Sequence, residues 1–460
     1  MARIKTILLF ISFLGIASTG VYAQNYTLPE FVTFKLDNGL SIYLMEQHDV
    51  PLISVSAILP AGAIYDDTQS GLAGLTASAL KHGTKNYSKS RIDETLDFLG
   101  ASVNVSASKE YAALSSKFAA KDKDSVMPII KELLRDPIFD EDEFDKEKSR
   151  LLVELERAKE SPRSVIGGYF QQLLYGNHVY GNLVSGTQAT VEGITINDVK
   201  NFYSANYVPD GAAISVVGDF DSGEMKKMLT SFFSNWKKGT ITSKNLAARP
   251  IQKPVAGKVL LINKDDAKET TFYIGGPGVA RNNKDIVAIQ VVNTLFGGRF
   301  TSMLNEELRT NSGLTYGAGS RFTNYKYGGS FYISTFTANE TTEEAMDLAL
   351  DVVHRLHTAG IDDKLLTSAK NYVKGQFPPR YETIEQLADL LIEMYWYDFD
   401  ETFINDFEKN VDGLTLEKAN KIIATYFPKD QHQFVLIGKA SEIRTIAAKY
   451  GPVKEVDIKD

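Results

Sequence analysis

The amino-acid sequence predicts an α+β protein made of two related α/β sandwich domains with largely antiparallel sheets. Three observations predict this fold class. The chain has 460 residues, which is too many for one compact core and suits two domains of about 200 residues each. Both halves mix strand-like with helix-like segments. The second half also repeats a pattern of the first half at a constant distance along the chain.

The repeat is clearest near the end of each half. The segment 194–203 resembles the segment 414–423, which begins 220 residues later. The same offset places the apolar run 213–218 on the apolar run 433–438. Each copy predicts a helix that begins after a threonine N-cap, then a turn, then a strand that ends at glycine.

The beginnings of the two halves also agree. The strand-like run 52–58 is followed by a Pro/Gly turn, and so is the strand-like run 270–274. Each turn leads into an apolar helix. The polar stretch 237–257 between the halves predicts an interdomain linker. We therefore expect an N-terminal domain over 24–236 and a C-terminal domain over 258–460.

The first 23 residues have the organisation of a signal peptide. Arg3 and Lys5 precede the apolar run 7–16, and the small-residue cleavage signal 21–23 follows it. The apolar run is short for a transmembrane helix, although an uncleaved anchor is the alternative. We expect an exported protein, located in the periplasm, with no stable membrane span after cleavage.

Composition excludes several classes of function. A formal net charge of −8 gives no basic field for nucleic acid or for an anionic membrane. The chain has no cysteine, which excludes disulfides, thiolate zinc sites and a cysteine nucleophile. An exported protein without disulfides needs a large core, and this length supplies one.

One helix-like segment resembles a known metal site. The segment 70–84, SGLAGLTASALKHGT, resembles the zinc-binding helix of the pitrilysin-type metallopeptidases (inverzincins), which include relatives of the mitochondrial processing peptidase. That helix runs roughly G-x-A-H-F-x-E-H-x-x-F-x-G-T. Gly71, Ala73, Gly83 and Thr84 fit this pattern. The resemblance implies the family's two-domain fold over nearly the whole mature chain.

The residues that would carry the chemistry are absent from this segment. Gly74 and Ser78 stand where the family has its two zinc histidines, and Ala77 stands where it has the general-base glutamate. A catalytic zinc needs about three protein ligands and a base for its bound water. We therefore expect no zinc and no other cofactor in this chain.

Other histidines do not replace the missing ligands. His82 lies one turn beyond Ser78 and has no partner histidine four residues away. Asp351, His354 and His357 are spaced three residues apart on one predicted helix. They would chelate a metal weakly, and an exposed helix face is the favoured interpretation.

Two carboxylates match the remaining part of the family's zinc site. The resemblance places the third zinc ligand at Glu154 and its supporting glutamate at Glu147. Both lie on a predicted helix that begins at Asp140 with a capping-box pattern, about 20° apart around its axis. From the residues alone, a pair of solvated carboxylates is the favoured interpretation, so these positions are vestigial at most.

The second half carries a longer match. The segment 296–317 resembles the family's C-terminal-domain signature, roughly G-G-x-x-S-x-L-x-x-x-L-R-x-x-x-G-L-x-Y. The resemblance implies that Arg309 and Tyr316 face the zinc site of an opposing domain and contact the substrate carbonyl. A guanidinium and a phenol there would stabilise a developing oxyanion. Without the signature, a helix C-cap for Arg309 and sheet packing for Tyr316 would be favoured.

These features lead to one main hypothesis and two alternatives. The chain is the non-zinc subunit of an exported two-chain peptidase, paired as half of a clam-shaped dimer with a homologous H-x-x-E-H subunit that holds the zinc. Peptides are the expected substrate. The first alternative is an inert structural or peptide-binding subunit of the same fold. The second is an independent zinc peptidase with divergent ligands, which stoichiometric zinc in the purified chain would support.

Overall fold

A computed structural model describes residues 26–239, 251 and 257–459. The predicted signal peptide and most of the predicted linker lie outside these residues. Each half of the chain contributes one six-stranded sheet, so the predicted α+β fold with two related, mostly antiparallel sheets is confirmed. Throughout the described part of the chain, no helix is long and apolar enough to cross a membrane.

The first sheet is formed by strands between residues 32 and 218. They are β1 (Val32–Lys35), β2 (Ser41–Glu46), β3 (Leu52–Leu59), β4 (Ser102–Ala107), β5 (Ala112–Ala119) and β6 (Ala213–Gly218). Their order across the sheet is β1-β2-β6-β3-β5-β4. Strands β2 and β6 are parallel, and the other neighbours are antiparallel.

The second sheet repeats the strand order and directions of the first sheet, except at one edge. Its strands are β7 (Val259–Asn263), β8 (Glu269–Pro277), β9 (Gly319–Asn324), β10 (Gly329–Ala338), β11 (Gln433–Gly438) and β12 (Val453–Asp457). The order is β12-β7-β11-β8-β10-β9. Only the first edge differs, because β1 is antiparallel to β2 whereas β12 is parallel to β7.

Helices surround both sheets. Those of the first half are α1 (Leu72–Ala79), α2 (Lys89–Leu99), α3 (Lys123–Arg135), α4 (Glu141–Ala158), α5 (Pro162–Tyr175), α6 (Gln188–Gly193), α7 (Ile196–Asn206) and α8 (Ser222–Phe233). Those of the second half are α9 (Ile286–Asn293), α10 (Met303–Asn305), α11 (Thr342–Thr358), α12 (Asp363–Gly375), α13 (Ile384–Tyr397), α14 (Thr402–Asn405), α15 (Phe407–Asp412), α16 (Leu416–Tyr426) and α17 (Ala440–Ala447). Thr294–Gly298 and Glu306–Asn311 are π-helical turns.

The predicted caps are present. Thr195 and Thr415 cap α7 and α16 through their side chains, and these are the two copies of the repeat. Asp140 caps α4 by accepting a hydrogen bond from the backbone N–H of Glu143 at 2.9 Å. A side-chain acceptor at this position satisfies an N–H group that the helix itself leaves unpaired.

The two halves exchange one helix each. Helix α5 belongs to the first half by sequence but packs on β8 and β11 of the second sheet, and α13 packs on β3 and β6 of the first sheet. The buried Phe170 ring of α5 lies 5.9 Å from Tyr273 and 5.8 Å from Tyr332, between ring centroids. On the other side, the Ser215 hydroxyl donates to the carbonyl of Ala388 in α13 at 2.7 Å. Each sheet therefore depends on the other half of the chain for its cover.

Shortening Phe170 should weaken both halves together. Phe170→Ala removes a fully buried ring from the contact between α5 and the second sheet, and we expect a loss of about 3–5 kcal/mol in the free energy of unfolding. Chemical denaturation followed by circular dichroism measures this loss. The control is Phe98→Ala, whose ring is 89% exposed and whose loss should change stability by less than about 0.5 kcal/mol. Separate unfolding of one half in Phe170→Ala would contradict the mutual dependence of the halves.

Candidate functional site

The candidate site begins at the N-terminus of α1. Gly71 adopts a left-handed backbone with φ of 102°, which glycine tolerates without strain. The Asp66 carboxylate accepts hydrogen bonds from the backbone N–H groups of Gly71 at 2.9 Å and Ala73 at 2.8 Å. This buried carboxylate fixes the start of the helix that carries the altered zinc positions.

Backbone of another segment occupies the space beside Gly74, the first of the altered zinc positions. A Cβ atom on Gly74 would lie 2.8 Å from the carbonyl oxygen of Val184, closer than van der Waals contact allows. The loop that carries Val184 is held there by Ser70, whose hydroxyl donates to the carbonyl of Leu183 at 3.0 Å and accepts from its N–H at 2.8 Å. The structure therefore has no room for a histidine at position 74.

Ala77 and Ser78, the other two altered positions, do not replace the missing zinc ligand. Ala77 is fully buried, and Ser78 is half-buried. Within residues 26–239 and 257–459, no three side chains of His, Asp or Glu come together where they could hold a metal ion. The group on α11 that would chelate a metal weakly, Asp351, His354 and His357, does not form such a cluster either. The residues present do not fit a zinc ion.

The two vestigial carboxylates lie on the outer part of α4. Glu154 is exposed. Glu147 is half-buried and accepts from the Arg150 guanidinium at 3.2 Å, one turn along the helix. Glu154 is thus a solvated carboxylate, whereas Glu147 is half-buried.

His82 lies close to Glu147 without forming a metal site. The imidazole is buried, and burial lowers its pKa, although the carboxylates of Glu147 and Glu143 oppose the shift. Its Nδ1 atom has no hydrogen-bond partner in the described part of the chain. A neutral, buried histidine at the end of this helix is a packing residue.

Two buried titratable residues near the start of α1, Asp66 and Lys109, give no recognisable signal in the sequence. The Lys109 ammonium donates to the Gln171 side chain at 2.9 Å and to the carbonyl of Asn182. Burial lowers the pKa of Lys109 to about 8, and Asp66 opposes this shift. Burial raises the pKa of Asp66 to about 7, while its two backbone donors and Lys109 oppose the change. Lys109 thereby joins α5 to the loop over Gly74.

Most residues of the C-terminal-domain signature have a structural role. A Cβ atom on Gly297 would lie 2.5 Å from the backbone nitrogen of Ser320, and Gly313 adopts a φ of 68°. Ser302 caps α10. Leu308 is fully buried. These residues build the turn that leads from α9 into β9.

Arg309 and Tyr316 differ from the rest of the signature. The Tyr316 side chain is 83% exposed, and neither its hydroxyl nor the Arg309 guanidinium has a hydrogen-bond or ion-pair partner among the residues described. The Arg309 guanidinium lies over the ring of Phe300, 4.5 Å from the ring centroid, and Phe300 is itself 66% exposed. Arg309 lies in the last turn of the π-helical segment, and its backbone carbonyl accepts from the N–H of Gly313 at 3.1 Å.

A stack of side chains joins this surface to the first half of the chain. The Tyr316 ring stacks on Phe336 with 6.4 Å between centroids. The Arg163 guanidinium, at the start of α5, lies 3.4 Å from the centroid of the same Phe336 ring. The exchanged helix α5 therefore fixes Phe336, and through it the ring of Tyr316, relative to the end of α4.

Comparison with known proteins identifies the family. A model described as "Insulinase (Peptidase family M16)" matches residues 43–188, and a model described as "Peptidase M16 inactive domain" matches residues 193–373. The two models together span well over half of the chain. The chain belongs to peptidase family M16. Without the zinc histidines and the base, it is an inactive-type member of that family.

Relatives of this M16 chain include both active and inactive types by name. The "Non-peptidase homolog YmxG" of Helicobacter pylori is 25% identical over 85% of this chain and 90% of its own length. The "Zinc protease PqqE" of the same bacterium is 23% identical over 91% of this chain and 94% of its own length. A solved "peptidase M16 inactive domain" from Pseudomonas fluorescens, 24% identical, shares the fold with a TM-score of 0.82 over 89% of this chain and 98% of its own.

Adding one methyl group tests the closure of the old zinc position. Gly74→Ala places a Cβ against the Val184 carbonyl, and we expect it to lower the free energy of unfolding by roughly 1–3 kcal/mol. The matched helical control is Gly167→Ala, whose Cβ meets no atom within 4 Å and should stabilise the protein by roughly 0.5–1 kcal/mol. Thermal and chemical denaturation measure both. Equal effects of the two substitutions would contradict the closed loop.

The raised pKa of Asp66 predicts a pH dependence of stability. The unfolded carboxyl ionises near pH 4 and the folded one near 7, so the folded state binds more protons between these values. Its contribution to stability is fully present below pH 4 and is lost as pH rises through 7. Asp66→Asn should make the slope of unfolding free energy less negative by up to about 1.4 kcal/mol per pH unit near pH 5.5. Asp67→Asn, next to it on the surface, is the control, and an unchanged slope in Asp66→Asn would contradict the prediction.

Proposed function

We propose that this chain is the non-zinc subunit of a two-chain M16 peptidase and supplies Arg309 and Tyr316 to the reaction. In this proposal a homologous H-x-x-E-H subunit holds the zinc and the general base, and the two chains close around a peptide substrate as a clam-shaped dimer. The complex acts after export, in the periplasm. The chain alone hydrolyses nothing.

The observation that carries the proposal is that the Arg309 guanidinium and the Tyr316 hydroxyl have no hydrogen-bond or ion-pair partner among the residues that the structure describes. A structural arginine and tyrosine make hydrogen bonds within their own chain. Arg309 and Tyr316 lie in a turn in which Leu308 is buried and Gly297 is closely packed. Their donors remain available to a group outside the chain.

The chemistry of the two donors suits an acyl-transfer transition state. Attack of water on a peptide carbonyl places negative charge on the carbonyl oxygen. A guanidinium and a phenol held at that oxygen bind the tetrahedral intermediate more strongly than the planar substrate. Phe300 below Arg309 and Phe336 below Tyr316 restrict both side chains, so less conformational freedom is lost when the oxyanion forms.

The closed zinc position supports a division of labour between two chains. Val184 fills the space in which a first zinc ligand would stand, so the metal must come from elsewhere. Helicobacter pylori has one relative named a non-peptidase homolog and another named a zinc protease, so one bacterium contains both types. The same pairing of types is what we propose for this chain.

A peptide-binding subunit without a catalytic contribution is the second candidate. The exposed aromatic rings of Phe300 and Tyr316 favour it, because such rings contact peptides without any need for the Arg309 charge. The two candidates differ in kinetics. An oxyanion donor affects kcat, whereas a binding surface affects KM.

Removal of Arg309 should slow the assembled enzyme. We expect Arg309→Ala to lower kcat of the complex by roughly 10²-fold, the loss typical of one oxyanion donor, and Tyr316→Phe to lower it in the same direction through loss of the hydroxyl alone. The measurement is steady-state peptide hydrolysis by the co-purified pair, compared with each chain alone.

The matched control is Arg91→Ala, an exposed arginine on α2, which should retain wild-type kcat. Co-elution of both chains in size-exclusion chromatography must be confirmed for every variant. Wild-type kcat with a raised KM in Arg309→Ala would assign the binding role instead. Full activity of the zinc subunit in the absence of this chain would overturn the proposal.

A further inference from the structure

A second site lies in the C-terminal half, at the free edge of the second sheet. It is a cavity of about 360 Å³ between α9, β9 and the segments that precede α13 and α15. This volume is within the range of small-ligand pockets. Arg309 and Tyr316 do not line it, so its role is independent of the function proposed above.

The floor of this cavity is apolar. Phe377 and Phe407 are buried and stack on each other with 3.6 Å between centroids. Ile289 and the half-buried rings of Phe322 and Phe403 complete the floor. A ligand that enters the cavity must therefore carry an apolar group to replace the water there.

The rim of the cavity is cationic. Arg281, Arg321 and Arg380 all line it. The Arg281 guanidinium lies 4.8 Å from the ring centroids of Phe399 and of Phe403, which hold it in place. Arg321 and Arg380 are exposed and form no ion pair with any residue that the structure describes.

No carboxylate lines the cavity, although the chain as a whole is acidic. The thirteen lining residues include three arginines and no Asp or Glu, whereas the chain has a net charge of −8. Arg281 forms an ion pair with Glu393 at 3.9 Å. Arg321 and Arg380 are therefore the charges of the rim that an anionic ligand could neutralise.

The position of the cavity leaves this charge open to a ligand. Arg321 and Phe322 are neighbours on β9, so their side chains point to opposite faces of the strand, yet both line the cavity. The cavity therefore wraps around the edge of β9, the last strand of its sheet. Among the residues that the structure describes, no further strand pairs with that edge.

We propose that this cavity binds an organic carboxylate that carries a large apolar group. Guanidinium groups pair with carboxylates through two parallel hydrogen bonds, and the aromatic floor takes the apolar part. Two ligands share this chemistry: the C-terminus of a peptide that ends in a large apolar residue, and a free aliphatic acid. An inorganic anion satisfies only the rim.

Calorimetric titration of the mature chain tests the proposal with four probes: N-acetyl-Leu-Phe with a free carboxylate, its C-terminal amide, octanoate and acetate. We expect a free carboxylate with an apolar group to bind at least about tenfold more tightly than the amide and than acetate, since each charged hydrogen bond contributes that much or more. Tighter binding of the peptide assigns a peptide C-terminus, and tighter binding of octanoate assigns an aliphatic acid.

Substitutions at the rim complete the test. Arg321→Gln and Arg380→Gln remove charge at exposed positions without ion pairs, so both variants should fold, which circular dichroism checks. Each should weaken binding about tenfold. Arg157→Gln, an exposed arginine on α4, should bind as the wild type does. Equal binding of acid and amide, equal binding of acetate, or undiminished binding by the rim variants would overturn the proposal.

Discussion

The exchange of α5 and α13 between the two halves is the constraint on which the rest of the structure depends. Each sheet leaves an apolar face that its own half does not cover, and the helix from the other half covers it. Burial of such faces is the main driving force of folding. The exchange also sets the geometry of function, because Arg163 on α5 contacts Phe336, on which the ring of Tyr316 stacks. The surface of the second half is thus positioned by a helix of the first.

The two parts of the family's catalytic site differ in packing and hydrogen bonding in this chain. At α1, the space for a ligand has been filled by backbone, and the surrounding polar groups are satisfied by the Asp66 cap and by Ser70. At the signature of the second half, the turn is intact, but the side chains of Arg309 and Tyr316 have no hydrogen-bond or ion-pair partner among the residues described. A site that had simply decayed would show loose packing at both places. This contrast is what the proposed division of the reaction between two chains would produce.

Much of the fold could be predicted from the sequence because its signals are local or repeated. Thr195 and Thr415 cap equivalent helices, and the copies of the repeat correspond to β6 and β11. The helix exchange could not be predicted, because the apolar face of a helix does not indicate which sheet the helix packs against. Lys109 and Asp66 were also missed, because single charged residues give no periodic signal and their burial depends on distant segments. The exposure of Tyr316 follows from tertiary structure alone.

The carbonyl of Val184 beside Gly74 has a consequence for the history of the chain. Because position 74 carries no side chain, the loop with Val184 lies directly against α1. A single reversion to histidine at position 74 would place a side chain against the backbone of Val184 while the other zinc ligands are still missing. This first substitution would be harmful, so the further substitutions would not follow. The loop therefore makes the loss of this histidine difficult to reverse. If the chain works with a zinc-bearing partner as proposed, this steric exclusion would maintain that dependence even without selection on the partnership itself.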